Sequence, residues 1–171
     1  MKNTCEAIAK LIKKHGNNIS VVIPVHKNPI VRETVNDILG ELNDVILIDP
    51  VEYVPFVHLM KESYLILTDS GGVQEEAPSL GKPVLVLRSV TERPEAVLAN
   101  TVKIVGCDSD LIFNEAEKLL TDANEYEKMA RAINPYGDGR ASMRITQALL
   151  RYFGFTDKGI NEFDVKILSI S

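Results

Sequence analysis

A serine, two glycines and two carboxylates stand close together in the segment Ser70–Glu76, directly after an apolar run. Glycines leave no Cβ in the way of a ligand, and the free N–H groups at the start of a helix bind phosphate. Glu76 follows Gly72 by four residues, so it lies on the same helix face, about 6 Å further along the axis. A carboxylate there suits the hydroxyl groups of a ribose. The spacing therefore predicts a nucleotide site, with pyrophosphate over Ser70–Gly72 and ribose at Glu76.

A basic residue follows this segment, and a simpler explanation of the segment also exists. Arg93 comes after the next apolar run, so it could add positive charge at the same edge of a sheet. The residues alone also allow a plain strand-to-helix turn, in which Ser70 caps the helix and Glu75 and Glu76 suit its N-terminus. The segment is neither a G-x-G-x-x-G fingerprint nor a Walker motif, and one short motif leaves both interpretations open.

Apolar runs and amphipathic segments alternate along the chain, and they must position these residues. The apolar runs predict buried strands over residues 19–25, 45–49, 64–68, 83–87 and 101–105. Helical patterns begin near Asn3, at Pro29, within EYVPFVHLMKES and at Val73, and three more cover about 109–121, 123–133 and 140–153. This alternation predicts an α/β fold, a Rossmann-like parallel sheet with helices on both faces. Ligands of such sheets bind at the carboxyl ends of strands, where the Ser70 turn lies.

Composition and charge argue against several classes of protein. With 171 residues and 45% hydrophobic content, the chain can bury one core, and we predict a domain over 1–153 with a tail over 154–171. The net charge of −5 and the lack of a Lys/Arg run disfavour nucleic-acid and membrane partners. Cys5 and Cys107 form no metal-type pair and the histidines are scattered, so no metal site is predicted. No apolar stretch reaches the ~18 residues of a membrane span, and we expect a cytoplasmic protein.

Longer strings around these residues resemble one enzyme family. TDSGGVQEEAPSLGKPVLVLR (68–88), TERPEAV (91–97) and NPYGDG (134–139) closely resemble the non-hydrolysing UDP-N-acetylglucosamine 2-epimerases, as do PVHKNP (24–29) and ILIDPVEYVPF (46–56). The similarity extends to about residue 153. It implies a two-domain, glycosyltransferase-B-like enzyme with its active site between two Rossmann-like domains, of which this chain is the C-terminal, UDP-binding one. It also implies interconversion of UDP-N-acetylglucosamine and UDP-N-acetylmannosamine by elimination and re-addition of UDP, with no metal or redox cofactor.

The resemblance also implies roles for individual residues. Ser70, Gly71 and Gly72 match the family's diphosphate-binding turn. Glu76 matches the glutamate on the ribose, and Arg93 matches an arginine that contributes to the nucleotide site.

Two further positions are assigned in the same way. Phe56 matches the position beside the uracil, where backbone groups can read the base edge. His26 matches a histidine that, in bacterial members, lies at a second, allosteric UDP-N-acetylglucosamine site. Many relatives have a polar residue near the uridine where this chain has Val51, so that position is not carried over. The NPYGDG loop is predicted to be a turn first, with Asp138 bonded to local backbone.

The sequence departs from the family at its start. Family members carry an HRREN segment shortly before the helix that begins here near Asn3, and the carboxylates assigned to proton abstraction lie earlier still. Neither is found in this sequence, so we assign it no catalytic residue and expect the chain alone to be inactive. It would then be a truncated enzyme, one product of a split gene or a degenerate half, with a separate N-terminal half as a partner. The full-length family is expected to form homodimers.

Two other functions remain open for the chain. The donor domain of a glycosyltransferase shares this architecture and often places a glutamate on ribose, although QEEAPSLGKPVLVLR followed by TERPE argues against it. A non-catalytic module that binds a UDP-sugar is the other, because the catalytic carboxylates of the family are not among these residues.

Overall fold

The computed structural model of the chain describes residues 1–163 and contains five short parallel strands in that range. They are β1 (Val21–Pro24), β2 (Val45–Ile48), β3 (Ile66–Thr68), β4 (Val84–Val86) and β5 (Val102–Ile104). β1 pairs with β2, and β4 lies between β3 and β5. The predicted parallel strands are confirmed, but within the described residues their ladders form two groups, not one continuous sheet. The predicted apolar runs are longer than the observed strands. Isolated backbone hydrogen bonds continue the pairing beyond the strand ends, for example from the Leu87 N–H to the Thr68 carbonyl at 2.9 Å.

Eight α-helices accompany the strands in the described part of the chain. Gly16, at φ +48°, ends the first helix. Pro29 is the first residue of the second helix, and the side chain of Asn28 caps that helix by accepting the Ile30 N–H at 2.9 Å. The helices are α1 (Lys2–His15), α2 (Pro29–Leu39), α3 (Tyr53–Glu62), α4 (Gly71–Glu76), α5 (Pro94–Leu98), α6 (Ser109–Thr121), α7 (Ala123–Ala130) and α8 (Ala141–Tyr152). A 3-10 turn at Ala77–Leu80 directly continues α4.

The central strand β4 is buried on both faces, which explains its uninterrupted apolar sequence. Leu85 faces one side and packs with residues of α1 and α6, whereas Val84 and Val86 face the other and pack with α3, α4 and α5. A third cluster joins α1 and α2 to the β1–β2 pair. Since α1 contributes to two of these clusters, it connects the two strand groups, and helices cover both faces as predicted.

Two helices differ from the sequence prediction. α4 begins at Gly71 and not at Val73, so Glu75 and Glu76 lie in its last turn instead of at its N-terminus. The five-residue helix α5 was not predicted at all, although Pro94 at its first position followed by Glu95 is a helix-start signal.

The predicted tail is described only in part. Residues 154–163 form no helix or strand, and the Asn161 carbonyl accepts a hydrogen bond from Arg144 Nε at 2.7 Å. Residues 164–171 lie outside the described residues, so the boundary after 153 stays a prediction. Among residues 1–163, no helix combines the length and the apolar character that crossing a membrane requires.

Candidate functional site

The segment after β3 forms a tight turn at the carboxyl end of the strand. Ser70 is extended, at φ −81° and ψ 130°, and α4 begins at the next residue. The Ser70 N–H donates to Thr68 Oγ1 at 3.0 Å, which ties the turn to the end of the strand. In the described part of the chain the Ser70 hydroxyl makes no capping hydrogen bond. It is therefore free to bind a ligand, contrary to the interpretation of Ser70 as a simple helix cap.

Polar groups from two segments surround the glycines of this turn. A Cβ added at Gly72 would lie 3.8 Å from Glu76 Oε1 and 3.9 Å from Ser70 Oγ. A Cβ added at Gly71 would lie 3.6 Å from Arg93 Nη2. A Cβ at either position would therefore be in ordinary van der Waals contact with the hydroxyl, the carboxylate or the guanidinium, and glycine leaves that volume unfilled. The structure thus brings five of the predicted site residues together.

The carboxylate of Glu76 is held by a residue that the sequence analysis missed. The Tyr53 hydroxyl, at the start of α3, donates to Glu76 Oε2 at 2.8 Å. This hydrogen bond and the negative charge of Glu76 raise the pKa of Tyr53 above its ordinary value. Oε2 is thereby engaged, while Oε1 faces Gly72. No spacing rule links Tyr53 to Glu76, because the contact depends on how α3 packs beside α4.

Arg93 is fixed by the neighbouring carboxylate. It precedes α5, is half-buried, and its Nε donates to Glu75 Oε1. This hydrogen bond, helped by the charge of Glu75, raises the pKa of the Arg93 guanidinium. The Glu75 carbonyl in turn accepts Asn134 Nδ2 at 3.2 Å, from the NPYGDG loop. Glu75 therefore orients Arg93, a role that the sequence analysis did not assign.

Among residues 1–163, neither Phe56 nor His26 forms a hydrogen bond to these groups. Phe56 is half-buried in α3 against the β4 side that carries α4 and α5, and its N–H donates to the Glu52 carbonyl at 3.1 Å within the helix. His26 is exposed beyond the carboxyl end of β1, and its Nδ1 accepts the Asn28 N–H at 3.2 Å. Their assigned roles stay predictions.

The NPYGDG loop has the turn structure that was predicted. Asp138 Oδ1 accepts the Arg140 N–H at 3.1 Å, and the same carboxylate forms an ion pair with Arg144. This confirms local bonding by Asp138. No group of three or more His, Cys, Asp or Glu side chains arranged to hold a metal ion occurs among residues 1–163.

A family model described as UDP-N-acetylglucosamine 2-epimerase matches residues 1–150. The chain belongs to this family. The UDP-N-acetylglucosamine 2-epimerase of Escherichia coli (strain K12) is 61% identical to it over 145 residues, which cover 85% of this chain and 38% of that protein. The enzyme of the same name from Bacillus subtilis (strain 168) is 49% identical over 166 residues, which cover 97% and 43%. This epimerase-family chain therefore spans about two fifths of the length of the curated relatives it matches.

Solved structures agree with the family assignment. A crystal structure of a UDP-N-acetylglucosamine 2-epimerase superposes with a TM-score of 0.91 at 49% identity, over 96% of this chain and 44% of the other. A co-structure of S. aureus MnaA with UDP gives 0.87 at 45% identity, over 95% and 44%. The Neisseria meningitidis 2-epimerase bound to UDP-GlcNAc gives 0.81 at 53% identity, over 88% and 40%. The predicted epimerase family and its Rossmann-like fold are confirmed.

Proposed function

We propose that this chain is the UDP-binding half of a UDP-N-acetylglucosamine 2-epimerase. The observation that carries the proposal is the convergence of Ser70 Oγ, Glu76 Oε1 and Arg93 Nη2 on the Gly71–Gly72 turn. That turn lies at the carboxyl end of β3, the edge at which parallel α/β sheets bind ligands. Solved relatives that contain UDP or UDP-GlcNAc support the choice of nucleotide.

Each part of UDP has a matching group in this proposal. The diphosphate lies over the turn, where the N–H groups of Gly71 and Gly72 and the guanidinium of Arg93 offset its charge. A ribose hydroxyl donates to Glu76 Oε1, the oxygen that Tyr53 leaves free. The uracil lies beside the half-buried ring of Phe56, whose N–H is already used within α3.

The proposed reaction of the complete enzyme explains why this half must bind diphosphate firmly. Loss of a proton from C2 of the sugar forms the C1–C2 double bond of a 2-acetamidoglucal as the C1–O bond breaks and UDP leaves. UDP then adds back to C1 while a proton returns to C2 on the face opposite to the one it left, which inverts C2. Charge develops on the departing diphosphate, and preorganised N–H groups and Arg93 stabilise it. We propose that the general-base carboxylates belong to the N-terminal half of the enzyme, which acts as a homodimer.

Calorimetric titration of the chain tests this function. We expect UDP to bind at micromolar to millimolar concentration and uridine to bind more weakly, because uridine lacks the diphosphate. No binding at about 1 mM, which corresponds to about −4 kcal/mol, would contradict the proposal. We also expect no interconversion of the two UDP-sugars by the chain alone, and activity only after addition of a separately expressed N-terminal half. Turnover by the chain alone would place catalytic groups within it.

Tyr53→Phe tests the orientation of Glu76. Loss of the hydroxyl removes one hydrogen bond, and the UDP affinity should fall by about two- to tenfold. Stability should change little because Tyr53 is 64% exposed. 2′,3′-Dideoxy-UDP has no ribose hydroxyl for Glu76, so it should bind wild type and Tyr53→Phe with equal affinity. Tyr152→Phe, at an 82% exposed tyrosine in α8, is the matched control. Unchanged UDP binding by Tyr53→Phe would show that the contact has no orienting role.

His26→Ala tests whether His26 lies outside the UDP site. The side chain is exposed, and its hydrogen bond to the Asn28 N–H is local. If it belongs to an allosteric site whose other groups lie in the N-terminal half, UDP affinity in the same titration should stay within about twofold of wild type. A tenfold loss would mean that His26 contacts UDP.

A further inference from the structure

A buried polar path joins the Ser70 turn to the segment that carries Arg93. The side chain of Gln74, in α4, is fully buried. Its Nε2 donates to the Ser70 carbonyl at 3.2 Å, and its Oε1 accepts the Thr91 hydroxyl at 2.6 Å. Thr91 Oγ1 then accepts the Arg93 N–H at 3.0 Å. One amide and one hydroxyl thus connect the turn after β3 to the residue that precedes α5.

The burial of Gln74 requires an explanation. The neighbouring residues on this side of β4 are mostly aliphatic, and an apolar side chain would be buried there without loss of hydration. An amide is costly to bury unless both of its ends are hydrogen-bonded, as they are here. Both of its partners belong to the segments of the proposed UDP site. The position of this amide therefore relates to the geometry of that site.

The same path restricts Arg93 from two directions. Thr91 holds its backbone N–H, and Glu75 holds its Nε. With these two points fixed, Nη2 lies 3.6 Å from the position of a Cβ on Gly71, beside the space proposed for the diphosphate. A long arginine side chain loses conformational freedom when it binds a ligand, and fixing it in advance reduces that cost.

We propose that Gln74 and Thr91 are positioning residues that hold Arg93 over the Gly71 turn and thereby set the affinity for the diphosphate part of the ligand. This inference rests on the proposed UDP-binding function. It assigns neither residue a contact with the ligand, so the nucleoside part should bind independently of both.

Thr91→Val is the main test, because it keeps the shape of the side chain and removes the hydroxyl. In calorimetric titrations, UDP affinity should fall by about three- to tenfold, the range for one lost hydrogen bond, while uridine affinity stays within about twofold. Thr91→Ser keeps the hydroxyl and should restore UDP binding to near wild type. Thr121→Val, which removes a remote hydroxyl bonded to the Glu117 carbonyl, is the matched control. Gln74→Met removes the other link and should reproduce the UDP-specific loss.

A double-mutant cycle with Arg93→Ala separates positioning from general support of the fold. If Thr91 acts through Arg93, then Thr91→Val should have no further effect on UDP affinity once Arg93 is alanine. With a wild type that binds UDP, any of three results would overturn the positioning role. These are additive losses of UDP affinity in the cycle, equal losses of UDP and uridine affinity in Thr91→Val, and no recovery of UDP affinity in Thr91→Ser. If wild type itself binds no UDP, the proposed function fails and this inference fails with it.

Discussion

Gly72→Ala is expected to weaken UDP binding by about 5- to 150-fold, the equivalent of about 1–3 kcal/mol for an overpacked contact. The added Cβ would lie 3.8 Å from Glu76 Oε1 and 3.9 Å from Ser70 Oγ. In the proposed complex this is where the diphosphate of UDP joins the ribose. Without ligand the same Cβ makes only ordinary contacts, at 3.8 and 3.9 Å, and Gly72 lies within α4. The loss should therefore come from obstruction of the ligand and not from misfolding.

The stability of the same variant should move in the opposite direction. Alanine in place of glycine at a compatible helical position reduces the freedom of the unfolded chain, so the free energy of unfolding should rise by about 0.4–1 kcal/mol. Urea unfolding measures this beside the UDP titration. Gly159→Ala is the matched control, since a Cβ there meets nothing within 4 Å and no left-handed backbone is involved. If the Gly72→Ala variant is stabilised and still binds UDP with wild-type affinity, the diphosphate does not bind at this turn.

The sequence was a good guide where the site is local. Ser70, Gly72 and Glu76 belong to one strand-to-helix segment, so helix geometry alone determines that Glu76 faces the turn. The start of α4 was nevertheless misplaced at Val73, because Gly71 and Gly72 were assigned to the strand-to-helix turn and not to the helix. The Ser70 carbonyl accepts both the Gln74 N–H and its side-chain amide, so these bonds begin the helix earlier.

The contacts that complete the site could not be predicted, because they join elements that are distant in sequence. Tyr53 reaches Glu76 only because α3 packs beside α4, and Arg93 reaches Glu75 only because β4 returns the chain to the same edge. Strand pairing has the same limit, since a buried β-branched run does not identify its neighbour. The position of Arg93 after an apolar run and the resemblance both assigned it to the nucleotide site, but only the structure shows that Glu75 already holds it.

Glu76→Ala is expected to reduce the affinity for UDP by about 1.5–3 kcal/mol, or roughly 10- to 150-fold, the usual range for a hydrogen bond to a charged group. Because the proposed partner of Glu76 is the ribose, the affinity for uridine should fall by a similar factor. Arg93→Ala should instead weaken UDP more than uridine, because its proposed partner is phosphate. The two variants together therefore determine which end of the ligand lies at which side of the turn.

The controls for Glu76→Ala follow from its contacts. Tyr53, the present partner of Glu76, is largely exposed, so its hydroxyl can bond to water after the substitution and the fold should be unaffected. Glu41→Ala, at an exposed carboxylate between α2 and β2, controls for the change in net charge. 2′,3′-Dideoxy-UDP should bind wild type and Glu76→Ala with equal affinity, since neither complex can form the ribose bond. If Glu76→Ala binds UDP as wild type does, Glu76 does not bind the ribose, whatever the turn itself contributes.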